Sequence, residues 1–338
     1  MKAMILRRPA DLRSAPLEWC DLPIAEPGRG EVRLRVHVCA ICRTDLHVIE
    51  GELPTKKSPL IPGHQVVGVV EACGDGVAGV AVGDRVGIAW LRETCGQCRF
   101  CRSGRENLCH RARFTGYDTD GGYATEAIVP AQFAYPLPSG FTDEEAAPLL
   151  CAGIIGYRAL RLSGIQPGQR LGLYGFGAAA HLAIQVARHW GCEIYVCSLR
   201  AEHQALALSM GARWVGGASA MPPVPLDASI IFAPAGELVP PALRALDRGG
   251  TLALAGIHMS PIPALNYDEE VFGERTIRSV TANTRQDGLD FLKVAAEIPI
   301  RPTIRRFRLA DANEALLALK TGAINGSGVL VMDDRRVP

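Results

Sequence analysis

The spacing of hydrophobic and polar positions divides the chain into two styles. Up to about Leu150, short runs that alternate apolar and polar residues are separated by glycine and proline turns, as in 31–41, 66–73 and 84–90. A period of two is typical of half-buried strands. This part is therefore predicted to be a β-rich, barrel-like domain.

From about Gln169 the pattern changes to apolar runs followed by helical runs, beginning with RLGLYGFG and AAAHLAIQVARHWG. It repeats in EIYVCSL and AEHQALALSMGA, and further apolar runs follow at 228–234 and 251–257. Strands that alternate with helices predict a parallel sheet with crossover helices. After about Thr281 come two amphipathic helical patterns and a last apolar run, whose pattern does not decide which domain they join.

The composition narrows the class of protein. The chain has 338 residues, 48% of them hydrophobic and 21% charged, with a formal net charge of +1. The length predicts two domains, and the balanced charge argues against a nucleic-acid partner. No apolar run approaches a membrane span, and the start MKAMILRRP lacks an apolar signal region. We therefore expect a cytoplasmic protein with no membrane partner.

Four of the eleven cysteines lie close together, with the spacing C-x2-C-x2-C-x7-C. A disulfide-stapled loop is the alternative, but the odd total and the expected reducing compartment argue against it. Four thiolates form a closed tetrahedral shell around Zn²⁺, which leaves no position for a substrate. The spacing predicts a structural zinc site formed by Cys95, Cys98, Cys101 and Cys109.

A glycine-rich turn follows the first strand of the second domain. Gly175, Gly177 and Ala180 fit G-x-G-x-x-A between a strand and a helix, which is typical of a dinucleotide pyrophosphate site. At the end of the next strand, Ser198 and Arg200 stand where an acidic residue would bind the ribose of NAD. We therefore expect NADP(H) to be favoured over NAD(H), although nearby Glu202 keeps the NAD alternative open.

A second group of metal-binding residue types is dispersed along the chain. Cys42 and His64 lie beside predicted strand ends, and Cys151 lies where the two sequence styles meet. Taken singly, each is more often a buried or surface residue without a ligand role. Together, two thiolates and one imidazole form the ligand set of a catalytic zinc with an open fourth position.

Several motifs in a fixed order give the chain a family resemblance. They are CRTDLH, GHQVVG, GDRVG, the cysteine cluster, GGYA, LCAGI and GFGAAA. In this order they resemble the zinc-dependent alcohol dehydrogenases of the medium-chain dehydrogenase/reductase family over nearly the whole chain. The resemblance implies a GroES-like catalytic domain at 1–151, a Rossmann domain at 152–281 and a return of 282–338 to the first domain. It also implies an active site in the cleft between the domains and a homodimer or homotetramer.

The resemblance implies roles for individual residues. Cys42, His64 and Cys151 would bind the catalytic zinc, and the cysteine cluster would bind the structural one, giving two zinc ions per subunit. Residues Gly256, Ile257 and His258 would lie near the nicotinamide.

The CRTDLH motif would supply most of the remaining active-site groups. Arg43 would contact the cofactor pyrophosphate, Thr44 would hydrogen-bond the substrate oxygen, and His47 would end a proton relay. Asp45 would orient the zinc-bound histidine. Gln65 departs from the glutamate that is usual beside that histidine, so a role of this carboxylate is missing or changed.

The implied reaction is hydride transfer between an alcohol carbon and the nicotinamide, with zinc as the Lewis acid and a Thr-His relay for the proton. The substrate would be a small-molecule alcohol or aldehyde, and the direction of the reaction is not readable from the sequence. A polyol or cinnamyl-type dehydrogenase is the main alternative. A regulatory protein that binds zinc and dinucleotide without turnover is a remote one.

Overall fold

The computed structural model describes residues 1–298 and 300–332. It contains two compact units: one holds Met1–Cys151, Asn283–Lys293 and the described residues from Pro302, and the other holds Ala152–Ala282 and Val294–Arg301. The domain limits predicted from the sequence are 1–151, 152–281 and 282–338. Pro299 and 333–338, which belong to the last predicted segment, lie outside the described residues.

The strands follow the two styles of the sequence. Those before Cys151 are β1 (Lys2–Leu6), β2 (Leu17–Asp21), β3 (Glu31–Ala40), β4 (Gln65–Cys73), β5 (Arg85–Ile88), β6 (Leu91–Glu93), β7 (Arg113–Phe114), β8 (Glu126–Pro130) and β9 (Ala134–Pro136). Those of the middle segment are β10 (Arg170–Tyr174), β11 (Glu193–Cys197), β12 (Trp214–Gly216), β13 (Leu226–Ile231), β14 (Leu246–Leu254) and β15 (Thr276–Ser279). The last two are β16 (Ile304–Arg308) and β17 (Ser327–Val331).

The helices lie mainly after the first domain's strands. They are α1 (Arg43–Ile49), α2 (Arg99–Arg102), α3 (Asp143–Pro148), α4 (Ile154–Ser163), α5 (Ala178–His189), α6 (Ala201–Ser209), α7 (Val239–Arg244), α8 (Arg285–Glu297) and α9 (Ala312–Lys320). Among the described residues, none of these helices is both long and apolar enough to cross a membrane.

A seven-stranded sheet forms the centre of the first unit, in the order β16-β17-β3-β4-β5-β9, with β8 also paired to β3. The long strand β3 packs one face on the hydrophobic core of this unit. Its residues Val32, Leu34 and Val36 are buried at alternate positions, as a strand with one face on a core requires. Strand β17 pairs antiparallel with β3. The described end of the chain therefore belongs to this sheet, which the sequence pattern alone did not decide.

The second unit contains a six-stranded parallel sheet in the order β12-β11-β10-β13-β14-β15. Helix α5 packs with a buried stripe that includes Ala180, Ala183, Ile184 and Ala187, the spacing expected of one helical face. The order reverses between β10 and β13, and in such sheets ligands bind at the carboxyl ends of the strands near this point. The predicted combination of a β-rich domain with a doubly wound parallel sheet is confirmed.

Candidate functional site

Cys42 lies immediately before helix α1, where β3 ends and the chain turns. Its backbone N–H donates to Asp45 Oδ2 at 2.8 Å, so a side chain from the first helical turn satisfies one of the N–H groups left over at a helix start. Thr44 and His47 are three residues apart on α1 and are buried, with 8% and 7% exposure. The Thr44 Oγ1 lies 3.7 Å from the Cys42 Sγ. Arg43, by contrast, is exposed at the first position of the helix.

His64 immediately precedes β4 and has no solvent exposure. Its Nδ1 lies 3.0 Å from Asp45 Oδ1. Among the described residues, its Nε2 has no hydrogen-bond partner. A buried imidazole nitrogen without a partner is costly, so an electron-pair acceptor at this atom would remove the cost.

Cys151 is the last residue of the long first segment of the first unit, Met1–Cys151. Helix α3 begins with a capping box in which Thr142 and Glu145 bond reciprocally, and it continues into a π-helical turn over Leu149–Gly153 that contains Cys151. Such turns are rare and often occur at functional sites. The wide turn replaces regular α-helix at the point where the thiol is presented.

The three predicted ligand side chains converge. The ligand atoms of Cys42, His64 and Cys151 all lie within 4.8 Å of one another. Donor atoms around one tetrahedral zinc lie roughly 3.3–3.8 Å apart, so modest contraction would bring these three onto one ion. Two soft sulfurs and one imidazole nitrogen fit zinc chemically.

Electrostatics at this point favour a cation. The hydrogen bond that Cys42 receives from the Cys151 thiol holds the pKa of Cys42 well below its usual value, and His64 lowers this pKa further. The same Cys42–Cys151 hydrogen bond raises the pKa of Cys151. Burial lowers the pKa of His64, but attraction to Asp45 and Cys42 outweighs burial and raises it to about 10. Thiolate and carboxylate charge thus surround the His64 ring, as a metal cation would require.

Gln65 follows His64 at the start of β4 and is 2% exposed. Its Nε2 donates to the backbone oxygen of Ala40 at 3.2 Å. A neutral amide at this position joins β4 to β3, which a carboxylate could not do as a donor.

The four clustered cysteines form a compact group around helix α2. Their sulfurs lie within 4.8 Å of one another, all four are free thiols, and the Cys98 and Cys101 sulfurs are 3.5 Å apart, far longer than a disulfide. Backbone N–H groups point at the sulfurs, including Cys98 N–H to Cys95 Sγ at 3.4 Å. Hydrogen bonds from Gln97 and Cys98 N–H lower the pKa of Cys95 to about 6, which favours a thiolate.

Arginines of this cysteine cluster contact an aromatic ring. The guanidinium of Arg99 lies 4.6 Å from the Phe100 ring centroid and that of Arg105 lies 5.6 Å from it. Cation–π contacts of this kind hold Arg99 and Arg105 on the surface of the cluster.

The glycine-rich turn lies at the carboxyl end of β10. Gly175 has a φ of +86°, which favours glycine, and a Cβ there would come within 3.1 Å of the Ala233 nitrogen. Gly177 caps α5, and the space where its Cβ would be is open. Ala180 is fully buried where the helix packs on the sheet. The turn thus leaves room at a helix N-terminus, which suits a phosphate.

The other predicted cofactor residues follow two further strands of the same parallel sheet. Ser198, at 4% exposure, comes directly after β11, and exposed Arg200 immediately precedes α6. Gly256, Ile257 and His258 come after β14, and Ile257 is 45% exposed. Because carboxyl ends of parallel strands share one edge, these groups and the glycine turn lie on the same edge of the sheet.

Three side chains near the predicted site are not among the residues predicted from the sequence. Trp90 packs edge-on against the His64 ring at 5.0 Å and stacks on Phe114. Glu52 Oε2 contacts His47 Nδ1, and Tyr123 donates to Asp45 Oδ2 at 2.9 Å. Of these three residues, only Tyr123 lies in a motif that the sequence singled out, GGYA, and that motif carried no role for its tyrosine. The other two follow from chain packing that local spacing does not encode.

Two family models match the chain. The "Alcohol dehydrogenase GroES-like domain" matches residues 28–139, and the "Zinc-binding dehydrogenase" domain matches residues 178–297. They fall on the β-rich segment and on the parallel-sheet segment respectively.

Curated relatives extend over almost the whole chain. A relative from Mycobacterium tuberculosis (strain CDC 1551 / Oshkosh), named "Probable alcohol dehydrogenase AdhA", is 52% identical over 98% of this chain and 97% of its own length. An alcohol dehydrogenase of Geobacillus stearothermophilus is 36% identical over 94% of this chain and 97% of its own length.

Solved structures of alcohol dehydrogenases are also similar to this chain over almost its whole length. A cinnamyl alcohol dehydrogenase of Sorghum bicolor has a TM-score of 0.89 and 28% identity, covering 98% of this chain and 97% of that one. A thermostable alcohol dehydrogenase of Pyrobaculum aerophilum, solved with cobalt and zinc bound, has a TM-score of 0.89 and 27% identity, covering 98% of this chain and 99% of that one.

A GroES-like domain combined with the domain of a zinc-binding dehydrogenase defines a zinc-type dehydrogenase. The chain belongs to the zinc-dependent alcohol dehydrogenases of the medium-chain dehydrogenase/reductase family. The predicted enzyme class is confirmed: this is a zinc-type alcohol dehydrogenase, whose substrate is a small-molecule alcohol or aldehyde.

Proposed function

We propose that Cys42, His64 and Cys151 hold the catalytic zinc and leave its fourth position open to the substrate. The observation that carries this proposal is His64 Nε2, a fully buried atom that faces two cysteine sulfurs and has no hydrogen-bond partner among the described residues. Asp45 accepts from Nδ1 and so directs Nε2, the other nitrogen, toward the metal.

A second zinc belongs, in this proposal, to Cys95, Cys98, Cys101 and Cys109, giving two per subunit. This group is supported by four sulfurs within 4.8 Å and by backbone N–H groups directed at them. With all four positions taken by the protein, such a zinc shapes the chain and does not take part in the reaction.

The reaction requires a proton to leave the substrate hydroxyl while hydride leaves the carbon. When bound, zinc supplies Lewis acidity at the substrate oxygen and the nicotinamide supplies the hydride acceptor. Thr44 lies beside Cys42, so its hydroxyl can accept the substrate proton in a hydrogen bond. His47, three residues along the same helix, is the base that takes the proton onward to Glu52 and solvent.

The proposed cofactor preference is NADP(H) over NAD(H). Ser198 and Arg200 follow β11 without a carboxylate between them, and a guanidinium can bind a 2′-phosphate bidentately. Glu202 is the next carboxylate along the sequence and lies in the first turn of α6. It is the residue that would favour NAD(H) instead.

Trp90 bears on the size of the substrate. It packs against His64, and Phe114 and Tyr117 stack against it at 5.0 and 5.8 Å, so bulk fills the space beside the proposed zinc. This favours small primary alcohols and aldehydes. The same flat aromatic surface could receive a planar substrate, which keeps a cinnamyl-type alcohol as the second candidate, in line with the name of the sorghum neighbour.

We also infer a homo-oligomer. All four residues of β15, the edge strand of the parallel sheet, are exposed, including Ile277 at 39%. An exposed edge is a template for pairing with a second copy. The mass in solution tests this: a monomer at micromolar concentration would contradict it.

The experiment that tests the function is single-turnover consumption of NADPH or NADH with a panel of aldehydes, followed by the absorbance of the reduced cofactor. A small aliphatic aldehyde, cinnamaldehyde and a sugar aldehyde separate the three substrate classes. We expect the highest kcat/KM with the small aldehyde, and Trp90→Ala should shift the preference toward cinnamaldehyde. Cofactor binding without turnover of any aldehyde would support the regulatory alternative.

A further inference from the structure

The buried hydroxyl of Tyr123 contacts the carboxylate that orients His64. Tyr123 has no solvent exposure, and its hydroxyl donates to Asp45 Oδ2 at 2.9 Å. Asp45 is 1% exposed and accepts two further hydrogen bonds, from the Cys42 backbone N–H at 2.8 Å and from His64 Nδ1 at 3.0 Å. One carboxylate thus holds the backbone of one proposed ligand, the side chain of another, and Tyr123.

Backbone pairing places Tyr123 beside His64. The N–H groups of Gly121, Gly122 and Tyr123 donate to the oxygens of Ile61, Gly63 and Pro62, at 2.7, 2.9 and 2.9 Å. The segment 121–123 therefore runs against the residues that lead into His64.

The tyrosine ring is also fixed by close packing. Gly63 has a φ of +93°, and a Cβ there would come within 2.3 Å of the Tyr123 ring. The chain before His64 thus accommodates the aromatic ring by using a glycine. The ring is enclosed on this side, and its hydroxyl has a defined direction.

We propose that Tyr123 is a positioning residue for the catalytic zinc site, acting through Asp45 on His64 and on the Cys42 backbone. The inference rests on the proposed zinc site and adds a residue to it. Since Tyr123, Asp45 and His64 are closed to solvent, bulk water does not reach Oδ2, and loss of the phenol would leave the carboxylate one donor short.

Two opposing effects follow from loss of this hydroxyl. A carboxylate with one donor fewer attracts the His64 N–H more strongly, which would strengthen zinc binding slightly. It is also held less firmly, and both the His64 ring and the Cys42 backbone depend on its position. We expect loss of position to dominate, since the geometry of zinc ligands is strict. Changes in outer-shell partners cost about 10- to 100-fold in metal affinity or activity, and one donor to the carboxylate should account for a fraction of this, roughly three- to tenfold.

Transfer of zinc from the purified holoenzyme to a chromogenic chelator tests this without reference to turnover. The phase that is absent in Cys42→Ser identifies the catalytic zinc. In Tyr123→Phe, which keeps the ring, we expect this phase to be roughly three- to tenfold faster and the phase of the cysteine cluster to be unchanged. Tyr135→Phe is the matched control, because Tyr135 is another buried tyrosine of the same unit, 2% exposed, whose hydroxyl accepts from Asn283 at 3.3 Å.

A double-mutant comparison separates positioning from a general effect on the fold. In an Asp45→Ala background, Tyr123→Phe should change the release rate by less than about twofold, because the polar side chain that Tyr123 acts through is gone. An unchanged rate in Tyr123→Phe, an equal effect in both backgrounds, or loss of the folded protein on removal of the hydroxyl would each overturn the inference. Equal zinc content in Cys42→Ser and wild type would instead overturn the proposed zinc site itself.

Discussion

The carboxylate of Asp143 accepts from His37 Nδ1 at 2.7 Å and from Arg85 Nε at 2.7 Å. The first contact joins α3 to β3, and the second joins it to β5. Asp143 is also the first residue of α3, whose dipole favours a negative charge there. The helix that leads into Cys151 is thereby attached to the strand that leads to Cys42.

This contact predicts a pH-dependent contribution to stability. The hydrogen bond from His37 is the largest cause that lowers the pKa of Asp143, and Arg85 lowers it further. Although burial raises this pKa, the net effect is a decrease from 3.8 to about 2. A carboxylate with a lowered folded-state pKa stabilises the fold above its unfolded pKa and loses that contribution as the pH falls through its folded pKa. For a shift of this size in a mostly buried side chain the contribution is about 2 kcal/mol.

Asp143→Asn should therefore lower the free energy of unfolding by about 2 kcal/mol at neutral pH. Urea unfolding of both proteins should show the difference narrowing below a pH of about 4. Asp75→Asn, at an exposed position of the same unit, is the control and should differ little from wild type. A difference that stays constant down to strongly acid pH would show that the effect is not electrostatic.

The two cysteine groups predict opposite phenotypes. Cys42→Ser should lose one zinc and its turnover, by more than the roughly 100-fold cost of outer-shell changes, because a neutral hydroxyl binds zinc far less well than a thiolate. Cys98→Ser should lower the melting temperature and the yield of soluble protein, while the surviving protein keeps most of its kcat. Metal analysis, thermal unfolding and kcat measure this, with exposed Cys73→Ser as the control. Equal loss of stability in both variants would contradict the division into catalytic and structural zinc.

The proposed proton relay predicts a pH-dependent defect. His47→Gln removes the imidazole that contacts Glu52, and alcohol oxidation should slow by about 10- to 100-fold, mainly at low pH where hydroxide cannot replace the base. The pH profile of kcat/KM for alcohol oxidation measures it. His189→Gln, at an exposed position of α5, serves as the control. A profile with the wild-type shape would remove His47 from the relay.

Cofactor choice predicts a selective loss. Arg200→Ala should weaken NADPH by roughly 1.5–3 kcal/mol, the range for hydrogen bonds to charged groups, and leave NADH nearly unchanged. The measurement is kcat/KM for both cofactors in wild type and variant. Arg213→Ala is the control, since Arg213 is an exposed arginine paired with Glu193. If wild type prefers NADH, or if both cofactors lose equally, Glu202 becomes the ribose partner.

Local features of the fold were predictable because their causes are local. Alternating valines and leucines mark β3, and glycines mark the turn after β10, where Gly175 has a positive φ. The four clustered cysteines lie so close in the chain that a short loop suffices to bring their sulfurs together. In each case a few neighbouring residues are enough to specify the geometry.

The sequence by itself determined the order of the elements, the two domain styles and the types of ligand available. Only the tertiary structure decided that Tyr123 meets Asp45, 78 residues away, that Trp90 packs on His64, and that β17 joins β3. These contacts depend on the register of strands and on the shape of buried side chains, and neither follows from the period of the hydrophobic pattern. A residue that positions another across a sheet therefore becomes visible only when the sheet has formed.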